Sequence, residues 1–208
     1  VGISVRGVLN VPVLVTSWQD FLNKFAHGME SPFLANSDLA YAVYGFFQNG
    51  GTKCYIIRTA SSKAAKASGK NGETTFTAKD EGAWGNKVAI AVKANADTPA
   101  NFDITIKYSG DTVETFTNVS KASTDENYFI DVLENSKFIS CMAGTLTVTT
   151  ADVAFTGGED GISDITDTNY TDALNLFDNI DDVNLICAQT LRAAGSVHRD
   201  VTATDNSN

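Results

Sequence analysis

Proline, cysteine and histidine are all scarce in this sequence, with 3, 3 and 2 copies among 208 residues. The two histidines, His27 and His198, have no second ligand three or four residues away, so no zinc site is legible. His27 is read instead as a cap at a helix end, where a cation is mildly favourable. Three cysteines cannot all pair within one chain. Cys54, Cys141 and Cys187 each sit in an apolar run (CYII, ISCMA and LICA), which predicts three buried thiols in a reducing cytoplasm. The rival reading, a reactive nucleophile, lacks a neighbouring His in sequence. No apolar run approaches the ~18 residues that a membrane span needs. The opening stretch VGISVRGVLN carries Arg6 but no apolar leader core or cleavage pattern, so a signal peptide is not expected. Without secretion the sequons at Asn118 and Asn169 have no expected role.

Basic residues are missing from one long stretch. Between Phe138 and Leu191 there is no Lys or Arg, while nine acids fall there: Asp152, Glu159, Asp160, Asp164, Asp167, Asp172, Asp178, Asp181 and Asp182. Residues 1–100 hold ten basic residues against seven acids. The net charge is −10, which argues against nucleic acid and against anionic membrane surfaces as direct partners. Within one copy the acidic stretch is a solvated face. Between copies the two regions permit head-to-tail complementarity.

What the chain does hold is a folded composition, 43% hydrophobic and 19% charged. A chain this long buries roughly 70% of its unfolded surface and needs no metal or disulfide to hold it. VGISVRGV and PVLVT read as strands around a turn at Asn10-Val11-Pro12. Ser17 with Asp20 three residues on predicts a helix N-terminus, with Phe21, Leu22 and Phe25 at helical spacing and Gly28 as its stop. A second helix starts near Asn36 or Ser37, places Leu39, Val43, Phe46 and Phe47 on one apolar face, and ends at Asn49-Gly50-Gly51. CYIIR follows as a buried strand.

From about Ala60 the texture changes. KAAKASGKNGE reads as an exposed connection, and TTFTA, KVAIAVKA, FDITIKYS and TVETFTNV read as short strands. The last two flank a hairpin turn at Ser109-Gly110-Asp111, and Phe102, Ile104, Ile106 and Tyr108 alternate with polar residues. A helix is predicted over Asn127–Asn135, then strands at KFISCMA and TLTVTT. Beyond the Gly-rich turn GGEDG, Tyr170, Ala173, Leu174 and Phe177 mark an amphipathic helix and Val183–Ala188 a buried strand. The expected fold class is α/β plus β-rich: a discontinuous α/β layer (about 1–62 and 158–190) with a β-rich insert at about 63–157. Residues 158–208 then hold the second part of the α/β layer and a polar tail.

Chemistry is sparse. Gly50-Gly51-Thr52-Lys53 follows a helix and precedes a strand, the wrong order for a phosphate loop, and GKNGE lacks the Walker spacing. No G-x-S-x-G elbow is present. Glu159, Asp160, Asp164 and Asp167 do not follow the calcium-loop spacing and read as a polar linker ahead of a helix N-terminus. Trp18 packs at the first helical position. Trp84, in DEGAWGN, is either a ligand-stacking platform or a plug where the chain turns tightly, and the plug is the more frequent solution. No catalytic, cofactor-binding or metal-ligating residue is assigned, and no cofactor is expected.

Five blocks in order carry a resemblance: PVLVTSWQDFLNKFAHG, LAYAVYGFFQNGGTKCYIIR, DEGAWGNKVAIAV, FTNVSKASTDENYFIDVLENSKFI, and GGEDG followed by YTDALNLFDNIDDVNLICA. Together, over residues 12–188, they resemble the tail sheath proteins of contractile phage tails and of phage-tail-like bacteriocins. The resemblance implies a structural subunit, not an enzyme. Such subunits stack in rings around a tail tube, hold one another through extended terminal arms, and drive contraction. It implies other sheath subunits, the tail tube and the baseplate as partners, with assembly in the host cytoplasm and a place in the virion tail. The family's C-terminal half is unmatched, and after Ala188 its expected apolar strand is replaced by the polar tail QTLRAAGSVHRDVTATDNSN, as in a fragment or a shortened gene. A β-rich carbohydrate- or receptor-binding module carried by 63–157, and an unrecognised enzyme with a deep pocket, are the alternative classes.

Overall fold

The computed structural model describes residues 1–26, 30–142, 144–181 and 183–188. His27, Gly28, Asp182, His198 and the polar tail lie outside them. In chain order the elements are β1 (Val13–Val15), α1 (Trp18–Phe25), α2 (Leu39–Gln48), β2 (Cys54–Ile56), β3 (Ser68–Asn71) and β4 (Thr74–Ala78). A 3-10 turn at Ala83–Lys87 leads into β5 (Val88–Ala94), followed by β6 (Phe102–Tyr108), β7 (Asp111–Val119) and α3 (Phe129–Leu133). Then come β8 (Ile139–Cys141), β9 (Val153–Ala154) and α4 (Asp167–Asn175), which runs into a 3-10 turn at Leu176–Asn179. The protein is therefore mixed α/β. Its chain divides into two compact units, one of Val1–Ala64 with Asp160–Asn208 and one of Ala65–Glu159.

The first unit is built around the antiparallel pair β1–β2, in register Val13 with Ile56 and Val15 with Cys54. Side chains alternate across a strand, so this pair has two faces. On one, Val15 and Ile56 meet Phe21 and Phe25 of α1 and Leu39, Ala40 and Val43 of α2. On the other, Tyr55 and Ile57 lie with Val1, Tyr170, Ala173 and Phe177. Helix α1 begins where the sequence places it: the Ser17 hydroxyl accepts the Asp20 N–H at 3.0 Å. Lys24 then reaches back to Asp20 at 2.8 Å, a pair one turn apart. Helix α2 starts at Leu39, slightly later than its spacing suggests. It closes as a Schellman motif: Gly51 N–H donates to Phe46 at 2.9 Å and Gly50 N–H to Phe47 at 3.3 Å, with Gly50 at φ +89°.

Three expectations fail in this unit. VGISVRGV is not a strand: Gly2 makes an isolated bridge with Arg58, as does Leu9 just after the run. Gly7 takes a left-handed φ of +105° and the Arg6 N–H goes to Phe25 C=O at 3.0 Å, so no continuous ladder runs through this segment. Phe46 is 40% exposed, so the buried face of α2 is Leu39, Ala40 and Val43. Val183–Ala188 is neither strand nor buried: Leu185 is 73% exposed, and Val183, Ile186 and Ala188 only rest on the second cluster. Helix α4 does form, with Tyr170 and Ala173 inward and the Thr166 N–H held by the Asn169 side chain at 2.8 Å.

The second unit holds a four-stranded antiparallel sheet in the order β7-β6-β5-β9 and a three-stranded one in the order β3-β4-β8. Ile104 and Ile106 of β6 sit opposite Val92 and Ile90 of β5, and all four are fully buried, as the alternation predicts. Ser109 (φ +51°) and Gly110 (φ +95°) make the two-residue hairpin loop between β6 and β7, both left-handed as a type I′ turn requires.

Here too the ladder decides. SGKN, expected as part of an exposed connection, is β3, because it pairs with β4 from Ser68–Thr77 to Asn71–Thr74. TLTVTT, expected as a strand, is not one. Its polar backbone groups are met singly: the Asn71 side chain holds Thr147 N–H (2.7 Å) and C=O (2.8 Å), and Thr149 trades bonds with Val92. The helix expected over Asn127–Asn135 shortens to Phe129–Leu133, since Asn127 C=O and Phe129 N–H are taken by Ser120.

Candidate assembly surfaces

The sequence offers Trp84, the cysteines and the acids as points of interest, and the structure sorts them. Trp84 lies in the 3-10 turn that leads into β5 and is 3% exposed. Its ring meets Phe138 edge-on at 6.4 Å and its indole N–H donates to Glu81 C=O at 3.3 Å. It is a plug, and a buried ring offers no platform to a ligand. Beside it, Asn86 clamps Gly158 from both sides: its amide donates to Gly158 C=O and accepts Gly158 N–H, each at 2.8 Å. The AWGN and GGEDG blocks, far apart in sequence, thus meet as one structural joint.

The cysteines depart from the expected burial. Cys54 and Cys141 are half-buried and Cys187 is exposed. Burial pushes the Cys141 thiol up to about 11 and raises Cys54 as well. Both shifts favour the thiol over the reactive thiolate. Iodoacetamide at pH 7.5 is therefore expected to label Cys187 well before Cys54 and Cys141, read by peptide mass mapping; equal rates at all three would contradict this burial pattern.

Three of the four linker acids take separate structural roles. Glu159 is part of a backbone bridge to Ala65, Asp164 pairs with Lys63 at 3.0 Å, and Asp167 opens α4, where an acid complements the helix end. A hydrogen bond from Ser163 and the Lys63 pair hold Asp164 below the usual carboxylate range. Among the described residues no group of three or more His, Cys, Asp and Glu side chains is arranged to hold a metal ion, and no helix is long and apolar enough to cross a membrane.

The structure adds features that composition did not mark. Arg6 and Arg58 are both 1% exposed, and Arg58 Nη1 donates to Gly7 C=O at 2.7 Å. The Tyr170 hydroxyl is buried without a hydrogen-bond partner, and burial pushes it to about 12. On the surface, acids Asp167, Asp172, Asp178 and Asp181 line the outside of α4 and the turn after it. Around α1 and α2, Trp18, Phe33, Tyr41 and Tyr44 form one aromatic group, with Phe33 and Tyr41 rings 4.6 Å apart and Trp18 and Tyr44 5.1 Å apart.

Comparison of the coordinates with solved structures decides the fold. The sheath tail protein of Desulfitobacterium hafniense superposes with a TM-score of 0.61 at 20% identity, over 86% of this chain and 38% of that one. The sheath tail protein Lin1278 of Listeria innocua gives 0.56 at 17% identity, over 85% of this chain and 37% of that one. This is a sheath tail protein fold. The likeness lies in backbone arrangement: no protein-family model and no curated protein matches the sequence. The chain spans less than two-fifths of the length of the two sheath tail proteins it matches.

Proposed function

We propose that this protein is a structural subunit of a contractile tail sheath, working by contact with copies of itself and without an active site. The backbone match to two sheath tail proteins over 85–86% of the chain is the observation that carries this reading. In this reading the subunits stack as rings around a tail tube, assemble in the host cytoplasm, and end in the virion tail, with the baseplate as a further partner. The two-part α/β layer belongs to the sheath core and the β-rich insert at about 63–157 faces outward. Each subunit moves as a near-rigid body when the sheath shortens, because packed interiors resist deformation.

Segregated charge supports the contact. The acids of 152–182 on one copy face the cations of residues 1–100 on the next. Assembly is therefore expected to weaken as salt rises toward 1 M, where the screening length falls to about 3 Å. Electron microscopy of the protein across a salt series tests both parts. Striated tubes that shorten or vanish with salt support the reading. Tubes indifferent to salt remove the charge matching, and a protein that turns over a metabolite or never associates removes the sheath role.

A further inference from the structure

The chain contains two Asn-Gly pairs, Asn49-Gly50 and Asn71-Gly72. Such a pair has a reactivity of its own. The side-chain Cγ of asparagine can close a five-membered ring with the backbone nitrogen of the next residue, and glycine has no side chain to bar the approach. The fold places the two pairs in opposite surroundings.

Asn71 ends β3 and is 3% exposed. Its side-chain amide donates to Thr147 C=O at 2.8 Å and accepts Thr147 N–H at 2.7 Å. Gly72 is crowded as well, since a Cβ there would stand 2.6 Å from the Thr145 carbonyl oxygen. To swing its Cγ toward Gly72, Asn71 must give up both bonds inside the protein. Asn49 is held far less firmly. It caps α2, where the backbone has left helical angles (φ −97°, ψ 21°), and both Asn49 and Gly50 are exposed. Its amide donates to Gly45 C=O at 2.7 Å, at a surface where water can replace that bond. The Gly50 N–H meets Phe47 C=O only at 3.3 Å, and a Cβ on Gly50 would touch nothing within 4 Å. Helix ends of this kind fray.

We propose that Asn49 is a modification site, where the protein exchanges an amide for a carboxylate without an enzyme. The Gly50 nitrogen gives up its proton and attacks Asn49 Cγ. The N–Cγ bond forms, the Cγ–Nδ2 bond breaks, and Nδ2 leaves as ammonia. Water then opens the cyclic imide, and nothing is oxidised or reduced. Addition at Cγ leaves aspartate. Addition at the backbone carbonyl carbon leaves isoaspartate, with the chain rerouted through the side chain. Either product loses the donor that holds Gly45 C=O, and sets a negative charge beside the last carbonyls of α2, which the helix dipole opposes.

The whole 208-residue chain, held at mildly alkaline pH in heavy-oxygen water and followed by peptide mass mapping, tests this. The Asn49 peptide is expected to take up heavy oxygen at least about tenfold faster than the Asn71 peptide. In urea the two rates are expected to converge, because only the fold separates them. Asn49→Gln should stop the reaction at that position, since its longer side chain would have to close a larger ring. Asn49→Asp should lower Tm by roughly 2–4 °C. Equal rates in the folded chain, or an Asn49 peptide that stays intact once the unfolded chain has converted, overturn the site. Rates that stay apart in urea overturn the fold as their cause. A wild-type Tm for Asn49→Asp overturns the cost at the helix end. None of these outcomes depends on whether copies of the chain associate.

Discussion

Gly158→Ala is expected to destabilise the Ala65–Glu159 unit by about 3 kcal/mol. A Cβ at this place would stand 2.4 Å from the Gly82 carbonyl oxygen and 3.1 Å from Ala67 Cβ. The first contact is with backbone, so no side-chain rotation relieves it. Gly158 is also fixed from the other side by the two bonds to Asn86. To admit one methyl group the joint must open, which strains the Asn86 clamp and the seat of Trp84. Urea unfolding read through tryptophan fluorescence suits the test, since Trp84 is buried in this unit and Trp18 reports on the other. A midpoint shift worth less than ~0.5 kcal/mol, the range of an ordinary surface substitution, would mean that the two blocks do not meet in this way.

The second large effect belongs to the four-stranded sheet. Ile104→Ala is expected to cost about 2–5 kcal/mol, the usual range for emptying a packed site. Ile104 is fully buried, opposite Val92 on one side and Phe116 on the other. Strands on both sides hold the backbone, so little collapse can refill the space. Ile104→Val should cost only about 0.5–1.5 kcal/mol, because one methyl leaves a small void. Thr105→Ala, on the opposite face of the same strand, should stay within about 0.5 kcal/mol. The graded series is read by the same urea unfolding. Equal losses for Ile104→Ala and Thr105→Ala would contradict the register of β6.

Much of this is visible before any coordinates, and the reason is local. Ser17 followed by Asp20 starts α1 because a hydroxyl can satisfy a free backbone N–H three residues on. Gly50 ends α2 and Gly110 closes the β6–β7 hairpin because each adopts a backbone angle that other residues resist. Strict alternation in FDITIKY names the buried side of β6. Trp84 among glycines reads as a plug, and it is one. What the sequence could not rank were surfaces: an exposed aromatic and a buried one look alike in a helical pattern, so Phe46 reads as a core position although it is 40% exposed.

Sequence alone determined the start of α1, the end of α2, the reversal between β6 and β7, and which side of an alternating strand is apolar, since each follows from neighbouring residues. Tertiary structure decided which segments became strands. SGKN did because β4 lies alongside it, while TLTVTT and VNLICA did not, although their composition is the more strand-like. A helix closes its hydrogen bonds within itself, whereas a strand exists only where another chain segment supplies the other half of the ladder.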